Sequence, residues 1–457
     1  MRPDQDIPPT ERPTVEVDSY ADPLIAIAGA EAAADDERVI RSGRLAGKGM
    51  WQSIWILAVP VMIQQMTAAL VGTTDTLLAG NLPPEVTAPA LDGIGFGASF
   101  MWIATIIMAG LGVGAQAISA RAMGSGNPDE ARDAGGTGVV ASLIAGALGG
   151  VAVWFSAPAI GAFVGLSPEA NVYATEYVRF IALGMPALGV MTVGGMTLHG
   201  VGEAASPSAI AVAVNVVNVL ASWAISGVVV SFGTFEVPNP SPLDPLQWGV
   251  FGIAAGTGLS YVVGGALTWW VMTRGVKDFK ISRGDLRVRG PMMRRIARVG
   301  IPNMLEGGVM WLTTSIGVVW FIGAVAVAEG VNGLPRQGLF GAHMIAVRWE
   351  AFSFLPGFAM GTAAGALAGQ YLGAGSPNLA RRATLMCLWI GIGIMALFGA
   401  VFMLFGRELA EFMTRDPVAV EEVPKLLFIC GLVQIPFALG IVLRQALKGC
   451  GDTQWTF

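Results

Sequence analysis

From residue 50 onward the chain alternates long apolar stretches with polar joints. Ten apolar runs stand out, near 54–80, 93–119, 136–163, 178–200, 207–232, 248–273, 299–328, 340–369, 383–405 and 424–447. Each reaches the ~20 residues that a helix needs to cross a bilayer. A bilayer core offers no water to unpaired backbone groups, so only helices or a closed barrel can span it. A barrel would show short strands of alternating polarity, which this sequence lacks. The pattern therefore predicts an all-α membrane protein.

Residues 1–48 follow a different pattern. They are rich in Asp, Glu, Pro and Ala, and their only apolar island, Leu24 to Ala30, is too short to span. A basic start followed by an adequate apolar core is missing, so this is not a cleavable signal. A disordered cytoplasmic tail is expected over 1–48. The other long polar interruption, TRGVKDFKISRGDLRVRGPMMRRIAR at 273–298, falls after the sixth run. It divides the chain into a first lobe at 49–273, a basic linker at 274–298 and a second lobe at 299–457.

Positive charge orients the spans. With the N-terminus inside, 21 Lys and Arg fall on the cytoplasmic side, against Arg179, Arg336, Arg407, Arg415 and Lys425 outside; Arg348 lies within a span. That asymmetry predicts a cytoplasmic N-terminus in the inner membrane. The basic linker sits between two spans, so it reads as an orientation signal beside anionic lipid rather than a nucleic-acid site.

Composition agrees. With 54% hydrophobic and 13% charged residues, the chain is far from soluble proteins, where about a quarter of residues are charged. The 62 glycines suit close helix packing in lipid. Cys387, Cys430 and Cys450 form no CxxC pair, so neither a disulfide framework nor a metal site is expected. No Walker A run is present, which argues against ATP-driven export. His199, His343, Arg348 and Glu350 have no catalytic or metal-site spacing, so structural or gating roles are expected for them and no catalytic residue is assigned. The chain is not read as an enzyme.

The two halves repeat. GSGNPDEAR at 124–132 returns as GAGSPNLAR at 373–381, a shift of 249 residues, and GVGE at 200–203 meets GCGD at 449–452 at the same shift. The Pro60 span meets the Pro302 span at a shift of 242. Six spans separate the partners, so the halves share an orientation, as in transporters whose repeats are related by an axis along the membrane normal. After GVGE the first half runs on for two more spans, whereas the chain stops soon after GCGD. The pattern thus reads as a twelve-helix plan of which two helices are absent from this chain.

One acid carries the candidate chemistry. Asp75 lies inside the first run, and an intramembrane carboxylate costs roughly 3 kcal/mol or more on insertion scales, which makes it a functional candidate. Gln64, Ala68, Gly72 and Asp75 fall on one helix face, which should look inward because it is small and polar. The bland alternative is that Asp75 caps the outer end of its helix.

The Pro60 to Asp75 span ending in TDTLLAG, GQYLGAGSPNLARRA at 369–383, RWEAFSFLPGF at 348–358 and the GCGDT ending resemble the multidrug and toxic compound extrusion (MATE) family. The likeness covers roughly residues 50–457. It implies two six-helix lobes around a central cavity and export of small organic, often cationic, compounds by antiport with H⁺ or Na⁺. Asp75 matches the family's coupling-ion acid. NVVNVL at 215–220 places Asn218 beside it, and GIAAGT at 252–257 adds Thr257. Where many prokaryotic members carry an Asp, this chain has Ser222, which puts a two-carboxylate site in doubt. Glu306 resembles a second-lobe acid of some members, or is an interfacial carboxylate near Arg298.

A hard cation needs several oxygens, whereas burial disfavours the charged form of a lone carboxylate. H⁺ is therefore the preferred coupling ion, with Na⁺ open, and no cofactor is expected. The partners expected are a small-molecule substrate and membrane lipid, with no nucleic acid, and a monomer. The rival reading is a lipid or polysaccharide flippase of similar two-lobe architecture, which would need several cavity cations.

Overall fold

A computed structural model describes residues 38–164, 166–232, 235–330, 338–414 and 417–454. Arg336, Arg415 and residues 1–37 lie outside them. The described chain has ten helices long and apolar enough to cross a membrane. They are α1 (Met50–Gly80), α2 (Pro84–Ser125), α3 (Pro128–Val164), α4 (Pro168–Gly200), α5 (Ala205–Ser226) and α6 (Pro245–Arg274). After the linker come α7 (Gly290–Ala328), α8 (Leu339–Gly373), α9 (Pro377–Met413) and α10 (Pro417–Gly449). A two-stranded hairpin, β1 (Val230–Phe232) with β2 (Phe235–Val237), separates α5 from α6.

Local chemistry sets the helix ends. Pro opens α2, α4, α6 and α9 in the first turn, where its missing N–H has no helical partner to lose. The fifth apolar run, expected to continue to 232, stops as a helix at Ser226. Gly227 turns left-handed there (φ 69°), and Asn239 Nδ2 ties the loop by donating to the Trp223 and Val228 carbonyls at 2.6 and 3.0 Å. In α7 the polar stretch at Thr313–Val318 winds as a π-helical segment.

The repeat is legible in the helix caps. Gly126 and Gly375 share positive φ (77° and 80°), as do Gly202 and Gly451 (86° and 78°). Each follows a helix whose carbonyl accepts a bond from beyond the glycine: Asn127 N–H to Ala122 O, Ser376 N–H to Tyr371 O, Glu203 N–H to Leu198 O and Asp452 N–H to Leu447 O. This is the glycine-dependent helix stop, used at equivalent points of both halves.

In the first lobe α4 is central, packed against α2, α3 and α6, while α5 lies between α1 and α6. In the second, α8, α9 and α10 pack on one another, and α7 runs along α2. The lobes meet along α2, which packs on α7 and crosses α8, and where α1 packs on α8. A Cβ on Gly124 would fall 1.9 Å from the Gln370 carbonyl oxygen, and one on Gly373 would fall 2.0 Å from that of Arg121. Those contacts are images of each other under the 249-residue shift, so the pseudo-two-fold axis passes through this crossing. The same symmetry recurs inside the lobes, where Gly200 abuts Gln116 O and Gly449 abuts Gly365 O.

A strap crosses the same face. Within the tail expected to be disordered, residues 38–48 are packed instead. Ile40 and Leu45 are buried among Leu367, Tyr371 and Leu379 of the second lobe and Ala204 of the first. Polar contacts finish the seat: Ser42 Oγ donates to Met123 O at 2.7 Å, Gly43 N–H donates to Asp278 Oδ2 at 2.8 Å, and Arg44 pairs with Glu203. A segment too poor in apolar residues to span a membrane still carries two large ones, enough to fill a groove between the lobes. The linker is ordered too, with Phe279 and Ile281 buried against Leu198 and Met272.

Candidate ion-coupling site and central cavity

Asp75 is 2% exposed and sits where α1 meets α4 and α6. Small residues bring these helices together. On α6, a Cβ at Gly252 would fall 2.3 Å from Ser226 N, and one at Gly256 would fall 2.2 Å from Ser222 Oγ, so GIAAGT lets α6 lie against α5. That approach presents Thr257 to α1. Thr257 Oγ1 donates to the Asp75 carboxylate, 3.1 Å from Oδ1 and 3.0 Å from Oδ2, and accepts from Asn218 Nδ2 at 2.8 Å. Tyr177 on α4 completes the cluster, its hydroxyl donating to Asp75 Oδ2 at 2.7 Å. Asp75 therefore does not cap its helix.

The sequence placed Asp75, Asn218, Ser222 and Thr257 together, and the first, second and fourth form one hydrogen-bonded chain. Ser222 stands at its edge: its hydroxyl donates to Ile253 O at 3.1 Å and Asn218 Nδ2 reaches it at 3.5 Å. Asn218 Oδ1 has no hydrogen-bond partner although buried. Tyr177 was not anticipated, because a tyrosine 102 residues from Asp75, just before the fourth apolar run and between Glu176 and Arg179, carries no local signal. Removing its hydroxyl leaves a buried carboxylate oxygen short of a donor, which costs about 1–3 kcal/mol. Tyr177→Phe should accordingly lower the denaturant midpoint of the purified protein; an unchanged midpoint would contradict the contact.

Gln64 belongs elsewhere. It lies eleven residues before Asp75, about 16 Å along a helix, and both face α4. Gln64 Oε1 is 3.1 Å from His199 Nε2. Gly72 is exposed, so the expected inward face is not continuous, and the Ala68 side chain lies outside the described residues. Gln64 and His199 line a cavity of about 520 Å³ between the lobes, with Gln116, Asn215 and Tyr261 from the first lobe and Phe358 and Lys448 from the second. Tyr261 is one turn beyond Thr257 on α6, so the cavity wall and the Asp75 cluster share a helix.

Glu306 joins neither the Asp75 cluster nor Arg298. It bridges α7 to α10, with Oε1 2.9 Å from Arg444 Nη1 and Oε2 2.8 Å from Lys448 Nζ. These partners lie 138 and 142 residues away in sequence, beyond any local pattern.

The MatE family model matches residues 60–224 and 331–457. The chain belongs to the MatE family. Its relatives include "Probable multidrug resistance protein NorM" of Thermotoga maritima, 27% identical over 402 residues that cover 87% of this chain and 79% of that protein. Another is "Multidrug resistance protein PmpM" of Pseudomonas aeruginosa, 25% identical over 88% of this chain and 78% of that protein. Among solved structures, MATE in complex with MaD3S superposes with a TM-score of 0.76 at 22% identity, covering 92% of this chain and 86% of that one. An outward-facing multidrug resistance MATE family transporter of the MOP superfamily gives 0.74 at 23% identity, with the same coverages. These structures establish the two-lobe all-helical MATE fold, as the resemblance of TDTLLAG and its companion motifs implied.

Proposed function

We propose that this MatE protein exports small organic compounds by antiport, with H⁺ preferred over Na⁺, through alternating access of its two lobes. The observation that carries this reading is a lone carboxylate, Asp75, shut into a cluster of neutral hydroxyls and an amide and joined by α6 to the wall of an inter-lobe cavity. The names of the relatives support a drug-like cargo.

As a carboxylate, Asp75 only accepts, from Tyr177 and Thr257. Adding a proton turns one of its oxygens into a donor, and Thr257 Oγ1 must then give up its own bond to that oxygen. Asn218 Oδ1, which has no partner, can accept the Thr257 hydroxyl if the amide turns over, since Asn218 Nδ2 now donates to that hydroxyl. Protonation thereby rearranges bonds that span α1, α5 and α6, which line the cavity. Loading a proton from the outer side and releasing it inward would drive cargo the other way. For a Na⁺ ion the same cluster offers one carboxylate and otherwise neutral oxygens.

A flippase reading would want several cavity cations, and among the described lining residues Lys448 is the only Lys or Arg. Efflux from membrane vesicles carrying only a pH gradient, compared with vesicles carrying only a sodium gradient, tests the proposal. Efflux that follows the pH gradient is expected; efflux that follows sodium and ignores pH would overturn the proton assignment.

The protein is proposed to act as a monomer in the inner membrane with its N-terminus in the cytoplasm. The loop after α1 and the hairpin share one side, since Ser231 N–H donates to Asn81 Oδ1 at 2.8 Å. Single cysteines at Pro83→Cys and Pro240→Cys should therefore react with an impermeant thiol reagent added to intact cells, and Gly284→Cys should not. Labelling confined to Gly284→Cys would invert the topology.

A further inference from the structure

The charge on the cavity wall names a class of cargo, an inference that rests on the export reading above. On the first-lobe side the lining includes Leu188, Met191 and Met196, and on the second-lobe side Asn303, Gln445 and Lys448. Among the described lining residues Lys448 is the only one of Asp, Glu, Lys or Arg. The nearest acid, Glu306, is shared: Arg444 takes Oε1 at 2.9 Å and Lys448 takes Oε2 at 2.8 Å. Two cations on one carboxylate leave an excess positive charge at this wall.

An ammonium has three donors and no acceptor role, and Lys448 meets Glu306 Oε2 as an ion pair that leaves that oxygen without a hydrogen bond. Charge at a part-buried site is costly unless it is paired and hydrogen-bonded. Asn303, one turn before Glu306 on α7, and Gln445, one turn before Lys448 on α10, flank it with neutral amides. We propose that the cavity selects organic compounds bearing a carboxylate, seated with that group on Lys448 between Asn303 and Gln445 and with the apolar body against Leu188, Met191 and Met196. This departs from the often cationic cargo that the family resemblance implied.

A fluorescent aromatic carboxylic acid and its methyl ester differ in one charge at nearly constant shape, and serve as probes. With the purified full chain in detergent near neutral pH, the acid should bind at least ~10-fold tighter than the ester, the factor expected of a charge-assisted contact. Lys448→Gln should bring the two together, and Glu306→Gln, which removes the competing carboxylate, should widen the gap. The opposite signs keep the test decisive even if one variant fails to fold. Wild-type protein that binds the ester as tightly as the acid overturns the proposal, as does a folded Lys448→Gln that keeps the preference. Proteoliposomes separate the two readings. Equal export of acid and ester sinks the charge selection and leaves export standing, whereas selective binding of the acid without export of either probe upholds the site and sinks the transport reading.

Discussion

Gly124→Val and Gly373→Val should each abolish export while leaving membrane insertion intact. At either position a Cβ would meet a backbone carbonyl, at 1.9 and 2.0 Å respectively, and neither atom can move aside as the tip of a flexible side chain could. Overpacking of this kind costs about 1–3 kcal/mol where the surroundings yield. Here they yield only by separating α2 from α8 at the lobe crossing. Cys450 reports that separation, because its carbonyl accepts from Arg121 beside the crossing. In a Cys430→Ser background, both variants should react faster with a thiol reagent at Cys450 than the parent does. Export at the parent rate from either variant would show that the crossing is not needed in the transport cycle.

Asp75→Asn is the second large effect. The amide keeps the volume of the carboxyl but carries no exchangeable charge, and its NH2 meets hydroxyls of Tyr177 and Thr257 that now donate toward it. Coupled export should fall at least ~10-fold, equivalent to about 1.4 kcal/mol of lost coupling, while the protein still inserts and binds cargo in the cavity, which Asp75 does not line. Efflux from energised cells at equal expression checks it. Wild-type efflux would remove Asp75 from the coupling role.

How much was visible beforehand depends on the range of the interaction. Ten spans were legible because each is a continuous apolar run, and the repeat was legible because its helix stops need glycine, at Gly126 with Gly375 and at Gly202 with Gly451. Asn218 and Thr257 were found from motif resemblance, and close packing at Gly252 and Gly256 brings them to Asp75. Tyr177 was hidden, since nothing near it in sequence marks it as the phenol that bonds Asp75. Glu306 was visible as an acid, but its meaning depends on Arg444 and Lys448 across the lobe. The strap was hidden for the opposite reason: its composition suits a tail, and only the groove formed by Leu367, Tyr371 and Leu379 gives Ile40 and Leu45 somewhere to go.

The central claim is that Asp75 is the group at which ion and cargo exchange. It is tested most directly by adding cargo to purified protein in weakly buffered solution and following proton release with a pH-sensitive dye. Wild-type protein should release protons on cargo binding, and Asp75→Asn should bind the same cargo and release none. Equal release from both proteins, or cargo binding by the wild type with no release at all, would contradict the account.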